Sequence, residues 1–352
     1  MLDNLILFGS LIAMVFNMPS RIDGDELFCF HSFLFLAALS WFVKPKREIL
    51  NGYFGAMLLL ALITTLFNFT FPVRANLINL FVGIMAIRFI SERSTITVSK
   101  LAKCGVIFYA ISLVFVILQK LKMEFIYQPQ FDEIAGASTI PWMLGSSVCL
   151  FLPFVFKEYK LKAILLSAPL LWVSESFSCM VVAAFTVFCL VSRKKKLYAA
   201  VIALIALAFY FFLNEASISH IDIQSKIHRY FVWIKSAKYI NNHFIGNGIG
   251  SWAHEGFIRL NGADQYHWRW AHNEVYQFFF EQGAIGLSIL VAYFSRTLIS
   301  VWSNVTLRTS LIGITLLSMM HPIFHFGRFL MILAVIISMC EIYRQTNKEI
   351  QK

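Results

Sequence analysis

The chain is a succession of apolar runs, each about as long as a bilayer's hydrocarbon layer is thick, separated by short polar turns. A spanning helix needs about 20 mostly apolar residues, with a usual range of about 17–25. Runs of this kind fall at roughly 2–18, 27–43, 52–71, 75–91, 101–119, 141–156, 161–173, 177–192, 197–213, 271–294, 305–320 and 322–341. They predict about twelve spans. The run at 161–173 is short, and the last two runs are parted only at His321-Pro322. Composition agrees: 59% of residues are hydrophobic and 14% charged. A soluble domain is about half apolar and about a quarter charged. The excess has no place in a water-soluble core. The first run lacks a basic start and a small-residue cleavage site, so it reads as a retained helix.

Basic residues test this division independently, because short cytoplasmic loops collect Lys and Arg. With the N-terminus inside and the spans alternating, the inner segments hold 19 of the 30 basic residues. Lys44, Lys46, Arg47 and the run Arg193-Lys194-Lys195-Lys196 are among them. The short outer loops hold Arg21, Arg74, Lys120, Lys122 and Arg328. Both termini are therefore expected inside, and the long segment 214–271 outside. Outside is the periplasm in a Gram-negative host. Net charge is +11, which loop charges of this kind explain without nucleic acid. The six cysteines form no C-x-x-C and no zinc pattern, so they read as small packing residues. Neither an internal repeat nor a linker is evident, so residues 1–352 form a single membrane domain.

Polar character gathers in 214–271. The stretch 214–272 holds six of the nine histidines, and Trp233, Trp252, Trp268 and Trp270 lie in the same region. A loop this long in a compact protein is usually functional. Arg229, Trp233 and Ala237 recur at i, i+4 and i+8 and share a helix face. An arginine held there suits phosphate, because its planar fork makes bidentate bonds. Gly246-Asn247-Gly248-Ile249-Gly250 is a tight glycine turn whose amides suit an anion. Ala271-His272-Asn273-Glu274 opens an apolar helix. His272 is then an imidazole at the membrane surface, able to take a proton near neutral pH. Taken singly, these are equally a headgroup charge, a chain reversal and a helix cap.

In order, they resemble a known signature. Arg229-x-x-x-Trp233-x-x-x-Ala237, then Gly246-x-Gly248-x-Gly250, then His272-Asn273, then Gly283-x-x-Gly286-Leu287 resembles the C-terminal motif of the O-antigen ligase and polysaccharide polymerase superfamily. The resemblance implies an all-α, glycosyltransferase C-like membrane bundle with a long, partly helical periplasmic loop. It implies transfer of a glycan from an undecaprenyl-diphosphate carrier at the outer face of the bacterial inner membrane. The acceptor is lipid A–core for a ligase and another lipid-linked repeat for a polymerase. Neither a nucleotide sugar nor a metal cofactor is implied, and the reaction inverts the anomeric centre. Arg229 is expected to bind the donor diphosphate, and His272 to deprotonate or orient the acceptor hydroxyl. Asn273, Trp233, Gly248 and Gly250 are expected beside the substrate.

Two departures stand out. The family often carries S-R-G before the eighth span, where this chain has Ser174-Glu175-Ser176. It often has P-N before the sixth, where this chain has Pro141-Trp142. Arg74 and Arg328, near outer span ends, are candidates for the missing cations, or else simple interfacial anchors. His321 and His325 are expected on one helix face, in a packing or gating role. Charges deep within the spans are essentially absent, which disfavours a transporter or flippase.

Overall fold

A computed structural model describes residues 2–15, 21–22, 25–26, 52–67, 71–121, 141–191, 221–252, 271–321, 323–324 and 327–350. The described chain is all-helical apart from a small hairpin in which Arg21–Ile22 (β1) pairs antiparallel with Asp25–Glu26 (β2). The helices are α1 Leu2–Val15, α2 Gly52–Phe67, α3 Phe71–Arg93, α4 Val98–Lys120, α5 Pro141–Tyr159 and α6 Leu161–Val173. They continue with α7 Phe177–Leu190, α8 Ile221–Ala237, α9 Glu274–Ser300, α10 Val305–Ser318 and α11 Gly327–Ile350. Ten of the twelve expected apolar runs coincide with these helices. The expected runs 27–43 and 197–213 lie outside the described residues.

Two helices, α4 and α9, are long and apolar enough to cross a membrane. Five more apolar stretches, in α1, α2, α6, α7 and α10, run 10–17 residues. At 1.5 Å per residue, a 14-residue helix such as α7 is about 21 Å long, short of a hydrocarbon layer of about 30 Å.

The core lies around α5 and α11. From Met143 to Phe156, α5 is buried on every side, and so is α11 from Ile332 to Glu341. A helix that is apolar all round belongs at the centre. The α5 helix packs against α4, α6, α7 and α10, and α11 against α3, α1 and α9. Phe108, Tyr109, Phe151, Phe154 and Phe329 fill this interior. Cys104, Cys149, Cys179 and Cys340 are buried free thiols within it. The outer faces are apolar too, with Phe8, Leu59, Ile107, Val114, Ile117, Leu165 and Val291 all exposed. An exposed apolar surface of this extent is one that water disfavours.

The connections sort to two ends. At one end Asp3, in the first turn of α1, takes the Thr95 amide (2.9 Å), the Thr95 hydroxyl (2.7 Å) and the Lys100 ammonium (2.6 Å). The Ser303 hydroxyl, just before α10, lies 2.9 Å from the Tyr343 hydroxyl late in α11. At the far end of α10, His321 reaches Ser178 at the start of α7. The Phe324 amide donates to Glu274 at the start of α9 (2.8 Å).

One expectation is corrected here. Glu281 lies two turns into α9 and is 2% exposed, so a carboxyl does sit deep in an expected span. The Gln277 amide donates to it at 3.1 Å.

Candidate functional site

The expected loop helix forms as α8. Its buried residues Val232 and Ser236, with the half-buried Arg229 and Trp233, follow the i, i+3, i+4, i+7 spacing of one face. Trp233 docks this face. Its indole N–H donates to the Ala271 carbonyl at 2.7 Å, one residue before His272. The Tyr276 hydroxyl donates to the Trp233 carbonyl at 2.7 Å and lies 2.8 Å from the Ser236 hydroxyl. Trp252, fully buried, stands edge-on to Tyr276 and Phe280. These contacts pin α8 to the first turns of α9. Since Arg229 is one turn from Trp233, it is carried to His272.

His272 is held tightly by its neighbours. The Ala271 amide donates to the Gln277 side-chain oxygen Oε1 at 3.1 Å, and Asn273 caps α9 by accepting from the Tyr276 amide at 3.0 Å. His272 itself has φ +53, in the left-handed region. Such a conformation costs about 1–3 kcal/mol and persists only where the surroundings impose it. Burial, then the Arg229 charge, then His321 hold its imidazole well below the usual range. His272 is therefore neutral at neutral pH, with a lone pair for a proton.

The glycine turn and the Gly283-Ala284-Ile285-Gly286 stretch form one device. At Gly283 (φ +64, ψ −167) α9 breaks. An unbroken helix would pair the 280 and 281 carbonyls with the 284 and 285 amides. Instead the Phe280 carbonyl accepts from the Asn247 amide (3.0 Å) and the Glu281 carbonyl from Gly248 (2.8 Å). The Ala284 amide donates to the His243 carbonyl (2.8 Å) and the Ile285 amide to Phe244 (3.0 Å). The segment 243–248 is thus inserted into the ladder of the helix. A Cβ at Gly246 would stand 2.4 Å from the Glu281 backbone, and one at Gly283 would stand 2.3 Å from the Phe244 carbonyl oxygen.

This insertion corrects one expectation. The amides of Gly246, Asn247 and Gly248 are committed to carbonyls, so an anion cradle is not built from them in this conformation. The Gly250 backbone, at φ +78, continues the same buried turn. The Trp233 indole N–H and the Asn273 side-chain oxygen are likewise engaged in docking and capping. Both residues help hold the site together. Part of the long loop is buried in protein: Gly248 to Trp252 are buried, and Ile249 packs on Ala61 of α2. Irregular backbone within a helix bundle is tolerated where protein covers it.

Trp233→Phe removes the indole donor and keeps a ring in place. We expect destabilisation of about 1–2 kcal/mol, for one buried carbonyl left without its donor. Thermal unfolding of the detergent-solubilised chain measures it.

A further cluster was not legible beforehand. His321 is not on a helix, because α10 ends at Ser318. Its Nε2 lies 2.6 Å from the Ser178 hydroxyl, 3.3 Å from Ser176 and 3.8 Å from the Cys179 thiol. Its ring stacks on Trp142, 4.8 Å away and 1° from parallel. Ser176 and Trp142 belong to the two places where the sequence departs from the family pattern. Both departures meet at one histidine. The signal available beforehand was that both fall on the same expected outer face. The α5 and α7 ends fit closely at Gly145, where a Cβ would stand 2.7 Å from the Ser174 hydroxyl and 2.9 Å from Cys179 Cβ.

Arg74 falls in the first turn of α3 and Arg328 in that of α11. Their side chains, and His325, lie outside the described residues. Beneath the start of α9 is a cavity of about 160 Å³, lined by Ile249, Phe278, Tyr293 and Phe324 and by the buried carboxyls of Glu274 and Glu281. Set against known families and curated proteins, the chain matches no family model and no curated sequence.

Proposed function

We propose that this chain is a multi-pass membrane transferase that moves a glycan from an undecaprenyl-diphosphate carrier to an acceptor hydroxyl. On this reading it is of the O-antigen ligase type, with lipid A–core as acceptor. It works at the periplasmic face of a bacterial inner membrane, with both termini cytoplasmic. The observation that carries the reading is the docking of α8 on α9 through Trp233, which brings Arg229 beside a neutral His272. A departing diphosphate gains negative charge, and a fixed cation stabilises it. An acceptor hydroxyl needs a base, which a neutral imidazole supplies. The apolar cavity beside this pair suits part of an isoprenoid chain. The apolar outer faces of the helices suit lipid.

Buried Glu281 favours a second reading, a transporter of lipid-linked glycans, since intramembrane carboxyls mark transport paths. Glu281→Gln separates the two. A transporter loses function, whereas the transferase keeps it within about threefold.

The test of the main reading is deletion of the gene followed by a lipopolysaccharide ladder. Loss of every capped band, with lipid-linked polymer accumulating, is the expected result. Capping by a single repeat would move the assignment to a polymerase. An unchanged ladder would end the ligase reading.

A further inference from the structure

Two sides of His321 are accounted for by neighbours. The Nε2 edge faces Ser176, at the N-cap of α7, with Ser178 and Cys179 in its first turn, and one ring face is covered by Trp142 of α5. The residue is 5% exposed. Its Nδ1 is buried and makes no hydrogen bond among the described residues. A buried polar atom of this kind calls for a partner. The turn that bears it is fastened to the candidate site, because Phe324, three residues on, donates its amide to Glu274, two residues past His272. Its ring is also near enough to act electrostatically on His272. The groups gathered there are Arg229, His272 and His321, three nitrogen-based side chains. Glu274 is turned to the Phe324 amide. Such a set favours an anion.

The Ser178 hydroxyl, at 2.6 Å, is well placed to donate to Nε2. With Ser178 donating, the ring proton sits on Nδ1, which is then a donor; in the reverse tautomer Nε2–H would donate to Ser178 and Nδ1 would be an acceptor. We propose that His321 is a third polar member of the site and that its Nδ1–H donates to an anionic oxygen of the bound donor. On the glycan-transfer reading, on which this inference rests, that oxygen belongs to the diphosphate. Trp142 and Ser178 are positioning residues that fix the ring and its tautomer.

Glutamine and asparagine dissect the two nitrogens. The glutamine amide overlies Nε2, and the asparagine amide overlies Nδ1. The probe is farnesyl diphosphate, titrated by calorimetry against the full chain in detergent. His321→Gln keeps the contact with Ser178 and loses the donor at Nδ1, so the Kd rises about tenfold or more. His321→Asn keeps the donor and binds within about threefold of wild type. Arg229→Ala, in the same assay, weakens binding through a residue outside the inference.

If His321→Gln binds like wild type while Arg229→Ala does not, the inference falls and the diphosphate reading stands. If His321→Asn folds and loses binding, the assignment of Nδ1 is overturned as well. If the wild-type chain takes no farnesyl diphosphate, both the inference and the diphosphate reading fall. Inorganic pyrophosphate should compete with the probe. Competition from anionic phospholipid micelles instead would make the site one for lipid headgroups and overturn the assignment.

Discussion

His272→Ala should lower glycan transfer by about 10²–10⁴-fold, the range a positioned general base supplies. Membrane insertion should be unaffected, since the Trp233 and Tyr276 hydrogen bonds that dock α8 stay in place. Arg229→Ala should cost about 10²–10³-fold, the scale of losing one preorganised charge partner. Wild-type surface glycan in either variant would sink the mechanism. The pH profile carries a further signature. Burial first, then Arg229 and His321, depress the His272 pKa well below 6.5. The base is therefore competent at neutral pH, and activity falls only when acid protonates it. Arg229→Gln removes one cause, so its acid limb should move up toward 6.5. The same shift has a sign for stability. Between the depressed value and 6.5, the unfolded chain binds a proton that the folded chain excludes. His272 thus opposes unfolding at higher pH, and that contribution is lost as pH falls through this window.

Gly283→Ala should be the most damaging single methyl in the described chain. Its φ of +64 and ψ of −167 belong to a region that only glycine occupies readily. The added Cβ would also meet the Phe244 carbonyl at 2.3 Å and the Gly246 amide nitrogen at 2.6 Å. Both are backbone atoms, which cannot swing aside like a side chain. Strain of about 1–3 kcal/mol therefore adds to displacement of the inserted segment. Four backbone hydrogen bonds between 243–248 and 280–285 go with it. We expect a lower unfolding midpoint in detergent and loss of transfer together. Gly313→Ala, within α10, is the control, because its nearest contact is a Val182 methyl at 3.7 Å, an ordinary van der Waals distance. A Gly283→Ala variant that unfolds and transfers like wild type would show that the clasp does not hold the site.

The helices are legible in the sequence because burial in lipid or core demands long apolar runs, and such runs are local. Arg229 and Trp233 were placed on one face by the helical repeat alone. What the glycines do was misread. A Gly-x-Gly-x-Gly turn advertises free amides, but whether they remain free depends on what packs against them. Here the partner is the break in α9, nearly 40 residues along the chain. The partners of Trp233 and Asn273 were likewise not legible: a donor or acceptor in a motif has many possible partners until the fold selects one. Glu281 escaped notice because a single carboxyl barely lowers the apolarity of a long run.

The long loop between 214 and 271 is where the division is sharpest. By itself the sequence determined that the loop is polar, that part of it is helical, and that a cation and an imidazole flank it. Those properties follow from residue type and from periodicity of a few residues. Only the tertiary structure decided that Trp233 ties α8 to Ala271, that 243–248 enters the ladder of α9, and that His321 stands with Trp142 and Ser178. Each of these joins groups from 33 to 179 residues apart, and no local pattern encodes such a pairing. Their geometry is set by which hydrogen bonds close when the helices pack, and that is a property of the whole chain.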